Sequence, residues 1–326
     1  MTASLALPPD PNSGEAANSR RRSARLRLRV AWMYYAEDMT QSAIAERLNI
    51  SRVTVTRLLA DAKAMHEVTV SLSRDIADLP RLEIGLEKRF GLREAMVAPL
   101  STGEADPTMA IGAAVGSFIS GFVRPDMRLG LGWGRTLHAS LDFVERSRVG
   151  TVVSLLGGIS AVEHYNPAEF AWAFSRMFKA RCYLIAAPAV VDGAETRQAL
   201  IDRCGIGESL ERAETLDAVL ISVGGVTPAS VPDLPDQIPA GTRHDLAASG
   251  AVGNVLYNFF DAEGRLVDHP LNTRVMSVPV ACLRKAPDRI LASGGPDKIA
   301  ALKGAMGLIA PTVLITDEAS ARALLQ

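Results

Sequence analysis

The chain has 326 residues, 48% of them hydrophobic, and a formal net charge of −1. This length is sufficient for two domains with sizeable cores, and no apolar run is long enough to span a membrane. The three cysteines have no CxxC or Cys/His spacing and the N-terminus has no signal-peptide pattern, so we expect a cytoplasmic protein without disulfides, metal or cofactor.

The charge is distributed unevenly along the chain. Residues 16–66 contain ten Lys or Arg and four acids, a local charge of +6, whereas residues 67–326 contain 25 basic and 30 acidic residues. A basic segment of this kind is what neutralisation of nucleic-acid phosphates requires. The excess of positive charge therefore predicts that any contact with nucleic acid is made near the N-terminus.

The first segments in chain order are a polar tail and an arginine-rich helix. Residues 1–19 are rich in Pro, Ser, Ala and Asn without periodicity, and we expect them to be disordered. The following helix, ending near Met39, is predicted to bury Val30, Met33 and Tyr34. Its arginines form either a solvated helix face or an arm that touches the DNA backbone or minor groove.

A helix-turn-helix pattern follows in TQSAIAERLNISRVTVTRLL, residues 40–59. Thr40 and Ser51 occupy N-cap positions, Asn49 occupies the turn, and the second helix is predicted to begin at Arg52. The spacing places a set of apolar side chains inward, and these are Ile44, Ala45, Leu48, Ile50, Val55, Leu58, Leu59 and Ala62. The less favoured alternative is a helical hairpin within an ordinary core.

The polar side of this motif is expected to contact operator DNA. Arginine pairs with guanine through two hydrogen bonds, and threonine reaches a phosphate or a thymine methyl. The candidate DNA-binding residues are Gln41, Ser51, Arg52, Thr54, Thr56 and Arg57. Residues 66–74 alternate apolar and polar side chains and are predicted to form a wing strand, which gives a winged helix-turn-helix domain over residues 20–75.

Residues 76–326 have the pattern of a doubly wound, Rossmann-like α/β domain. A helical pattern leads to Phe90, and short apolar strands then alternate with helices. The strands are predicted at 95–100, 127–134, 151–158, 181–191, 217–225, 289–295 and 312–317. Helices are predicted near 78–90, 106–123, 135–147, 167–179, 195–203, 297–309 and 318–325. Residues 250–283 lack helical periodicity and predict a β excursion or hairpin beside the sheet.

Glycine-rich turns after several of these strands define a candidate pocket, because ligands of such sheets collect beyond the carboxyl ends of the strands. In LGLGWGRTL, Gly134 permits close backbone approach, Arg135 and Thr136 add a charge and a hydroxyl, and the helix start offers free N–H groups to an anion. Glycine pairs also end other strands, at 157–158, 224–225 and 294–295. Lys298 follows the last pair, although any tight strand-to-helix turn favours glycine.

The sequence contains no P-loop, no dinucleotide fingerprint and no catalytic or metal-binding histidine spacing. Five ordered motifs, YYAEDMTQSAIAERLNISRVTVTRLL, GLGWGRTL, GAVGNVLYNFFDAEG, ILASGGPDKIAALKGAM and LITDEASARALL, resemble the SorC family of bacterial sugar-responsive transcriptional regulators. The resemblance extends from about residue 25 to the C-terminus. It implies an isomerase-like effector fold, homotetramers that bind operators, and a sugar, polyol or sugar-phosphate effector, for a carbohydrate catabolic operon.

The resemblance also implies roles for individual effector-binding residues. Phosphate or hydroxyl contacts fall on Gly134, Arg135 and Thr136, a sugar-facing acid on Asp261, and a cation on Lys298. The glycine pair Gly157 and Gly158 completes the predicted effector set. The chain departs from the family pattern at His66, Val53 and Asn254, where a glycine, a proline and an acid are frequent.

Three hypotheses follow for the function. The first is a ligand-controlled transcription factor, in which oligomerisation pairs the DNA-binding heads because one short helix makes too few base contacts. The second is a sugar-phosphate isomerase-like enzyme with an accessory helical domain, although no general base can be assigned to it. The third is a scaffold with a vestigial pocket.

Overall fold

The computed structural model describes residues 12–35, 37–65, 67–68, 78–99, 106–145, 148–159, 165–226 and 241–326. The chain divides into two compact units, Met1–Ser73 and Arg74–Gln326, and this division lies two residues before the predicted boundary. We call them the DNA-binding unit and the effector unit. Within the described ranges, no helix is both long and apolar enough to cross a bilayer.

The DNA-binding unit contains three helices, α1 (Asn12–Tyr35), α2 (Gln41–Leu48) and α3 (Arg52–Ala64). The sequence predicts disorder over residues 1–19, whereas residues 12–19 belong to α1 and residues 1–11 lie outside the described residues. Glu15, Ala16 and Ala17 are favourable helix formers and join the arginine-rich run without a break. The helix also ends at Tyr35, before the predicted limit of Met39.

The predicted helix-turn-helix geometry is confirmed in this unit. The Thr40 and Ser51 hydroxyls accept hydrogen bonds from the amides of Ala43 and Thr54, and Asn49 adopts left-handed backbone with a φ of 52°. The core of the unit contains buried and half-buried apolar side chains, among them Val30, Met33, Ile44, Val55, Leu58, Leu59 and Ala62. Most of the predicted wing strand, including residues 69–74, lies outside the described residues.

The effector unit alternates helices and strands along most of its length. Its helices are α4 (Leu79–Phe90), α5 (Thr108–Phe122), α6 (Arg135–Ala139), α7 (Pro167–Met177), α8 (Ala194–Arg203), α9 (Ile206–Arg212), α10 (Gly241–Ala248), α11 (Val280–Leu283), α12 (Ile299–Ile309) and α13 (Glu318–Leu325). Its strands are β1 (Glu94–Ala98), β2 (Arg128–Leu131), β3 (Thr151–Gly158), β4 (Arg181–Pro188), β5 (Ala218–Ile221), β6 (Gly224–Gly225), β7 (Gly253–Val255), β8 (Asn258–Phe260), β9 (Asp288–Ala292) and β10 (Val313–Asp317).

The seven predicted strands each have a counterpart in one sheet of order β1-β10-β9-β5-β2-β3-β4, and its neighbouring strands are parallel. The strand predicted over 217–225 is divided, because β5 ends at Ile221 and residues 224–225 form β6 of the smaller sheet. Apolar cores lie on both faces of this sheet. One contains Leu86 of α4 and Leu302 of α12, and the other contains Ile111 of α5 and Phe174 of α7. The doubly wound α/β prediction is therefore confirmed.

The order of the strands reverses between β2 and β5. After β2 the chain continues to β3 and β4 on one side, whereas after β5 it continues to β9 and β10 on the other. The connections therefore diverge at this point and leave a crevice at the carboxyl ends of β2 and β5, where doubly wound folds bind their ligands.

Two regions of the effector unit differ from the sequence predictions. The predicted β excursion is a small antiparallel sheet, β6-β7-β8, but its segment ends in the short helix α11. The helix predicted over 135–147 is much shorter, because α6 ends at Ala139 and a single 3₁₀ turn, Ser140–Phe143, follows it. The sequence reading did not predict α9 or α10.

Candidate functional site

The candidate DNA-contacting surface of the DNA-binding unit lies on α3 and the start of α2. Burial of Val55 and Leu58 on one side of α3 leaves Arg52 and Arg57 exposed on the other, and Val53 is 78% exposed. A guanidinium group donates several hydrogen bonds in a fixed fork, which suits both guanine edges and phosphates. The two arginines are therefore placed to contact DNA.

The hydroxyl groups of this surface already have partners within the protein. The Thr56 Oγ1 donates to Gln41 Oε1 at 3.0 Å and also lies 3.1 Å from the Arg52 carbonyl oxygen. Ser51 and Thr54 exchange a hydroxyl hydrogen bond of 2.8 Å beside the N-cap. The Thr56–Gln41 contact joins α3 to α2, and the Ser51–Thr54 contact lies at the N-terminal end of α3.

A concave cavity lies in the effector unit at the strand reversal between β2 and β5. Its free space, counted out to its open mouth and including open solvent, is about 480 Å³. The residues that line it are Trp133, Gly134, Arg135, Thr136, Ser222, Val223, Gly224, Gly225, Asn254, Leu256, Tyr257 and Lys298. The structure thus brings together Gly134, Arg135, Thr136 and Lys298 of the predicted effector set.

The charges in the described lining are all positive. Arg135 is half-buried and Lys298 is buried, and the remaining lining side chains are neutral. Asp106 lies outside the lining, and its Oδ2 is 3.7 Å from Arg135 Nη1. The Thr108 hydroxyl is the main cause that holds the pKa of Asp106 below its ordinary value, and the positive charges of Arg135 and Lys298 lower this pKa further. The cavity is electrostatically suited to an anion.

Three predicted effector residues do not line this cavity. Gly157 and Gly158 belong to β3, and a Cβ on Gly157 would approach the Ala187 carbonyl oxygen to 2.5 Å, so this glycine permits close packing with β4. Asp261 instead stabilises the DAEG turn. Its Oδ1 accepts from the Arg265 amide at 2.8 Å, and its Oδ2 accepts from Arg265 Nε at 2.9 Å.

The electrostatics of Asp261 agree with this structural role. The hydrogen bond from the Arg265 amide is the main cause that lowers the pKa of Asp261 from its ordinary value, and the Arg265 guanidinium lowers it further. The assignment of Asp261 as a sugar-facing acid is therefore not retained in the candidate site, because the carboxylate is used within its own turn.

The far wall of the cavity comes from the turn between β7 and β8, which the sequence reading did not identify. Leu256 and Tyr257 both have positive φ, 52° and 59°, in a two-residue turn where glycine or asparagine is usual. Asn254 Oδ1 accepts from the Tyr257 amide, and Asn258 Nδ2 donates to the Leu256 carbonyl. This turn places the centroid of the Tyr257 ring 5.3 Å from the centroid of the Trp133 ring.

Only one sequence signal pointed toward this wall, the departure from the family pattern at Asn254. The placement of the hairpin beside the strand reversal depends on tertiary packing, which local periodicity does not encode. The same applies to Ser222, which follows β5 directly and carries no distinguishing motif.

Comparison with known proteins gives consistent matches for both units. The family described as “Putative sugar-binding domain” matches residues 74–326, and the family described as “Homeodomain-like domain” matches residues 21–64. The two matched segments correspond closely to the effector unit and to the three helices of the DNA-binding unit.

Several curated proteins are similar over nearly their whole length. The chain is 30% identical to the erythritol catabolism regulatory protein EryD of Brucella abortus over 305 residues, which is 92% of this chain and 96% of that protein. It is also 30% identical to the deoxyribonucleoside regulator of Bacillus subtilis, over 93% of this chain and 98% of that one. Among solved structures, the full-length sorbitol operon regulator SorC from Klebsiella pneumoniae superposes with a TM-score of 0.69 and 26% identity, covering 93% and 99% of the two chains.

Proposed function

Because this chain belongs to the SorC family of sugar-binding transcriptional regulators, we propose that an effector bound in the cavity between β2 and β5 controls the affinity of α2 and α3 for operator DNA. The proteins that it resembles over nearly their full length are named as regulators. The chain is accordingly a DNA-binding regulator and not a sugar-phosphate isomerase.

The observation that carries the proposed effector class is the positive lining of the cavity. Arg135 and Lys298 approach it from different strand ends, and the other described lining side chains are neutral. Because α6 has only five residues, the helix N-terminus contributes little, and the two side chains supply the charge. Among a sugar, a polyol and a sugar phosphate, this arrangement favours the phosphorylated ligand.

The neutral part of the lining suits the carbohydrate portion of such a ligand. Thr136, Ser222 and Asn254 offer hydroxyl and amide groups to sugar hydroxyls, and the Trp133 and Tyr257 rings provide apolar surface. Three relatives are named as regulators of erythritol catabolism, of deoxyribonucleosides and of the sorbitol operon, which supports a regulator of a carbohydrate catabolic operon.

For the DNA-binding unit we propose that Arg52 and Arg57 contact bases or phosphates, with Gln41, Ser51, Thr54 and Thr56 supporting or sharing these contacts. One short helix contacts few base pairs, so sequence specificity requires that two DNA-binding units bind the operator together. We therefore propose a homo-oligomer, a tetramer by the family resemblance, that acts in the cytoplasm.

Two measurements test the proposed function. A thermal-shift screen of pentoses, hexoses, tetritols and their phosphates should identify a phosphorylated ligand, since binding at a hundredfold its Kd stabilises a protein by about 2.7 kcal/mol. Fluorescence anisotropy with the DNA upstream of the gene should show salt-sensitive binding that this ligand alters. Absent or salt-insensitive DNA binding would contradict the proposal, and a shift only with unphosphorylated sugars would contradict the effector class.

A further inference from the structure

A buried carboxylate lies at the carboxyl end of β10, in contact with the glycine turn that precedes Lys298 of the cavity lining. Asp317 is 1% exposed and ends the strand. Its Oδ2 accepts from the Gly295 amide at 2.9 Å and from the Ser320 Oγ at 2.6 Å, and the Ser320 Oγ lies 2.9 Å from the same Gly295 amide. Two side chains thus converge on one backbone N–H. We call this set the Asp317–Ser320 bridge.

The Asp317–Ser320 bridge contacts the Gly294–Gly295 turn, whose backbone conformation is restricted. A Cβ on Gly294 would lie 2.1 Å from the Asp317 Oδ2, and Gly295 has a φ of 106°, a conformation that side chains rarely tolerate. The Gly295 carbonyl then accepts from the Lys298 amide at 3.1 Å. The position of Lys298 in the cavity wall therefore depends on where the Gly295 peptide is held.

From this chain of contacts we propose that Asp317 and Ser320 are positioning residues of the effector site, which hold the Gly294–Gly295 turn so that the buried Lys298 faces the bound anion. Neither side chain lines the cavity, so both act through the backbone. The proposal rests on the proposed function in one respect, that Lys298 contacts the ligand.

The alternative is that Asp317 serves only as the N-cap of α13. That role is carried by its other oxygen, because Oδ1 accepts from the Ser320 amide at 2.9 Å. Ser320→Ala removes the hydroxyl from the bridge and leaves this cap in place. Asp317→Asn leaves one acceptor oxygen for two backbone amides, so it loses either the contact with the Gly295 amide or the helix cap. Ser320→Ala is therefore the variant that separates the bridge from the helix cap.

A matched control is available in α7. Ser175 is also buried, and its Oγ donates to the Ala171 carbonyl at 2.6 Å, so Ser175→Ala removes a buried hydroxyl of similar burial elsewhere in the effector unit. Differences between Ser320→Ala and Ser175→Ala then report on the bridge rather than on the loss of any buried hydroxyl group.

The first measurement is hydrogen exchange on the full-length protein without ligand. We expect the amides of Gly294, Gly295, Asp297 and Lys298 to exchange at least tenfold faster in Ser320→Ala and Asp317→Asn than in the wild type and in Ser175→Ala. In the two bridge variants, the amides of α7 should exchange at the wild-type rate. Wild-type exchange rates at these four amides in Ser320→Ala would overturn the proposal, and this variant remains informative if Asp317→Asn does not fold.

The second measurement is the affinity for inorganic phosphate, determined by calorimetric titration of the same proteins. We expect both bridge variants to bind phosphate at least threefold more weakly than the wild type and Ser175→Ala. Unchanged phosphate affinity in the bridge variants would overturn the positioning role. If the wild type binds no phosphate, the proposed anionic effector class fails, and the exchange rates alone decide whether the bridge holds the Lys298 turn.

Discussion

Arg135 and Lys298 are the residues on which the anionic character of the effector cavity depends. Replacing either with alanine removes one of two positive charges from the described lining. We expect Lys298→Ala and Arg135→Ala to abolish the response to the effector, while operator binding without effector stays at the wild-type level. Fluorescence anisotropy of operator binding, with and without the ligand found by thermal shift, measures both quantities.

The control for these variants is Lys303→Ala, which removes an exposed lysine from α12. It should respond to the effector like the wild type, because Lys303 is absent from the cavity lining. A normal response from both Arg135→Ala and Lys298→Ala would show that the anion site has been assigned to the wrong residues.

Arg57 is exposed on the outward side of α3 and carries the main prediction for DNA recognition. If its guanidinium contacts a base, Arg57→Ala should weaken specific binding by about 1–3 kcal/mol and relax the sequence preference at one operator position. Anisotropy titrations with the operator and with single-base variants of it test both effects. Lys303→Ala is again the control. Wild-type operator affinity in Arg57→Ala would show that Arg57 does not contact a base of the operator.

At the level of elements, an ion pair connects α1 to the segment that follows α3. Arg27 donates from Nε and Nη2 to the two carboxylate oxygens of Glu67, at 2.6 and 2.5 Å, and the two side chains are only 11% and 22% exposed. The hydrogen bond from Arg27 is the main cause that lowers the pKa of Glu67 below its ordinary value of 4.5. This pair therefore makes the stability of the DNA-binding unit depend on pH.

The direction of that dependence follows from the lowered pKa. The stabilisation is complete above pH 4.5, where Glu67 is ionised in both folded and unfolded chains, and it is lost as the pH falls through the lower pKa of the folded state. We expect Glu67→Gln to lower the Tm of the DNA-binding unit at pH 7. The difference in Tm between this variant and the wild type should become smaller below pH 4. Scanning calorimetry of the full chain at several pH values measures this.

The exposed Glu46 on α2 provides a matched control for this measurement. The substitution Glu46→Gln changes the same functional group without touching Arg27. A Tm difference between Glu67→Gln and the wild type that is equal at pH 7 and at low pH would contradict the proposed ionic origin.

Elements with a local cause could be predicted from the sequence. The caps at Thr40 and Ser51, the start of α3 at Arg52 and the seven strands of the large sheet all depend on short-range signals, and the structure has them. The extent of α6 and the start of α1 were predicted less well, because helix ends depend on what the neighbouring segments pack against. The helices α9 and α10 were not predicted, because their sequences show weak helical periodicity.

The effector site shows the same distinction between local and tertiary causes. Arg135, Thr136 and Lys298 follow glycine turns at the ends of parallel strands, and the topology alone brings such residues to one sheet edge. Asp261 lies in a turn where a carboxylate caps the backbone as readily as it binds a ligand, so the sequence could not distinguish the two roles. The strained pair Leu256 and Tyr257 could not be predicted, since neither residue type favours positive φ.

At the scale of the whole molecule, the division of labour between the two units explains the charge asymmetry of the chain. The basic residues are concentrated where phosphates must be neutralised, and the net-negative remainder builds a sheet with one positively lined cavity. One short recognition helix makes few base contacts, and the proposed homo-oligomer supplies further contacts by pairing two DNA-binding units.

Regulation in such a molecule is a coupling free energy between two sites, and this coupling is reciprocal for binding equilibria. If the effector changes operator affinity by a given factor, saturating operator must change effector affinity by the same factor and in the same direction. We expect a factor of about 5–150, the usual range for such couplings. Anisotropy titrations of operator at fixed effector, and calorimetric titrations of effector with and without operator, measure the two factors independently.

The Lys298→Ala variant should show neither change, because it lacks effector binding but keeps its DNA-binding surface. Because reciprocity holds for any pair of binding equilibria, equal factors in the wild type would show that both titrations measure the same coupling between the cavity and the DNA-binding unit. A factor of 1 in both titrations would contradict the proposed coupling, and unequal factors would show that the assembly state changes during one of the titrations. Repeating both titrations at two protein concentrations tests for such a change, since assembly depends on protein concentration.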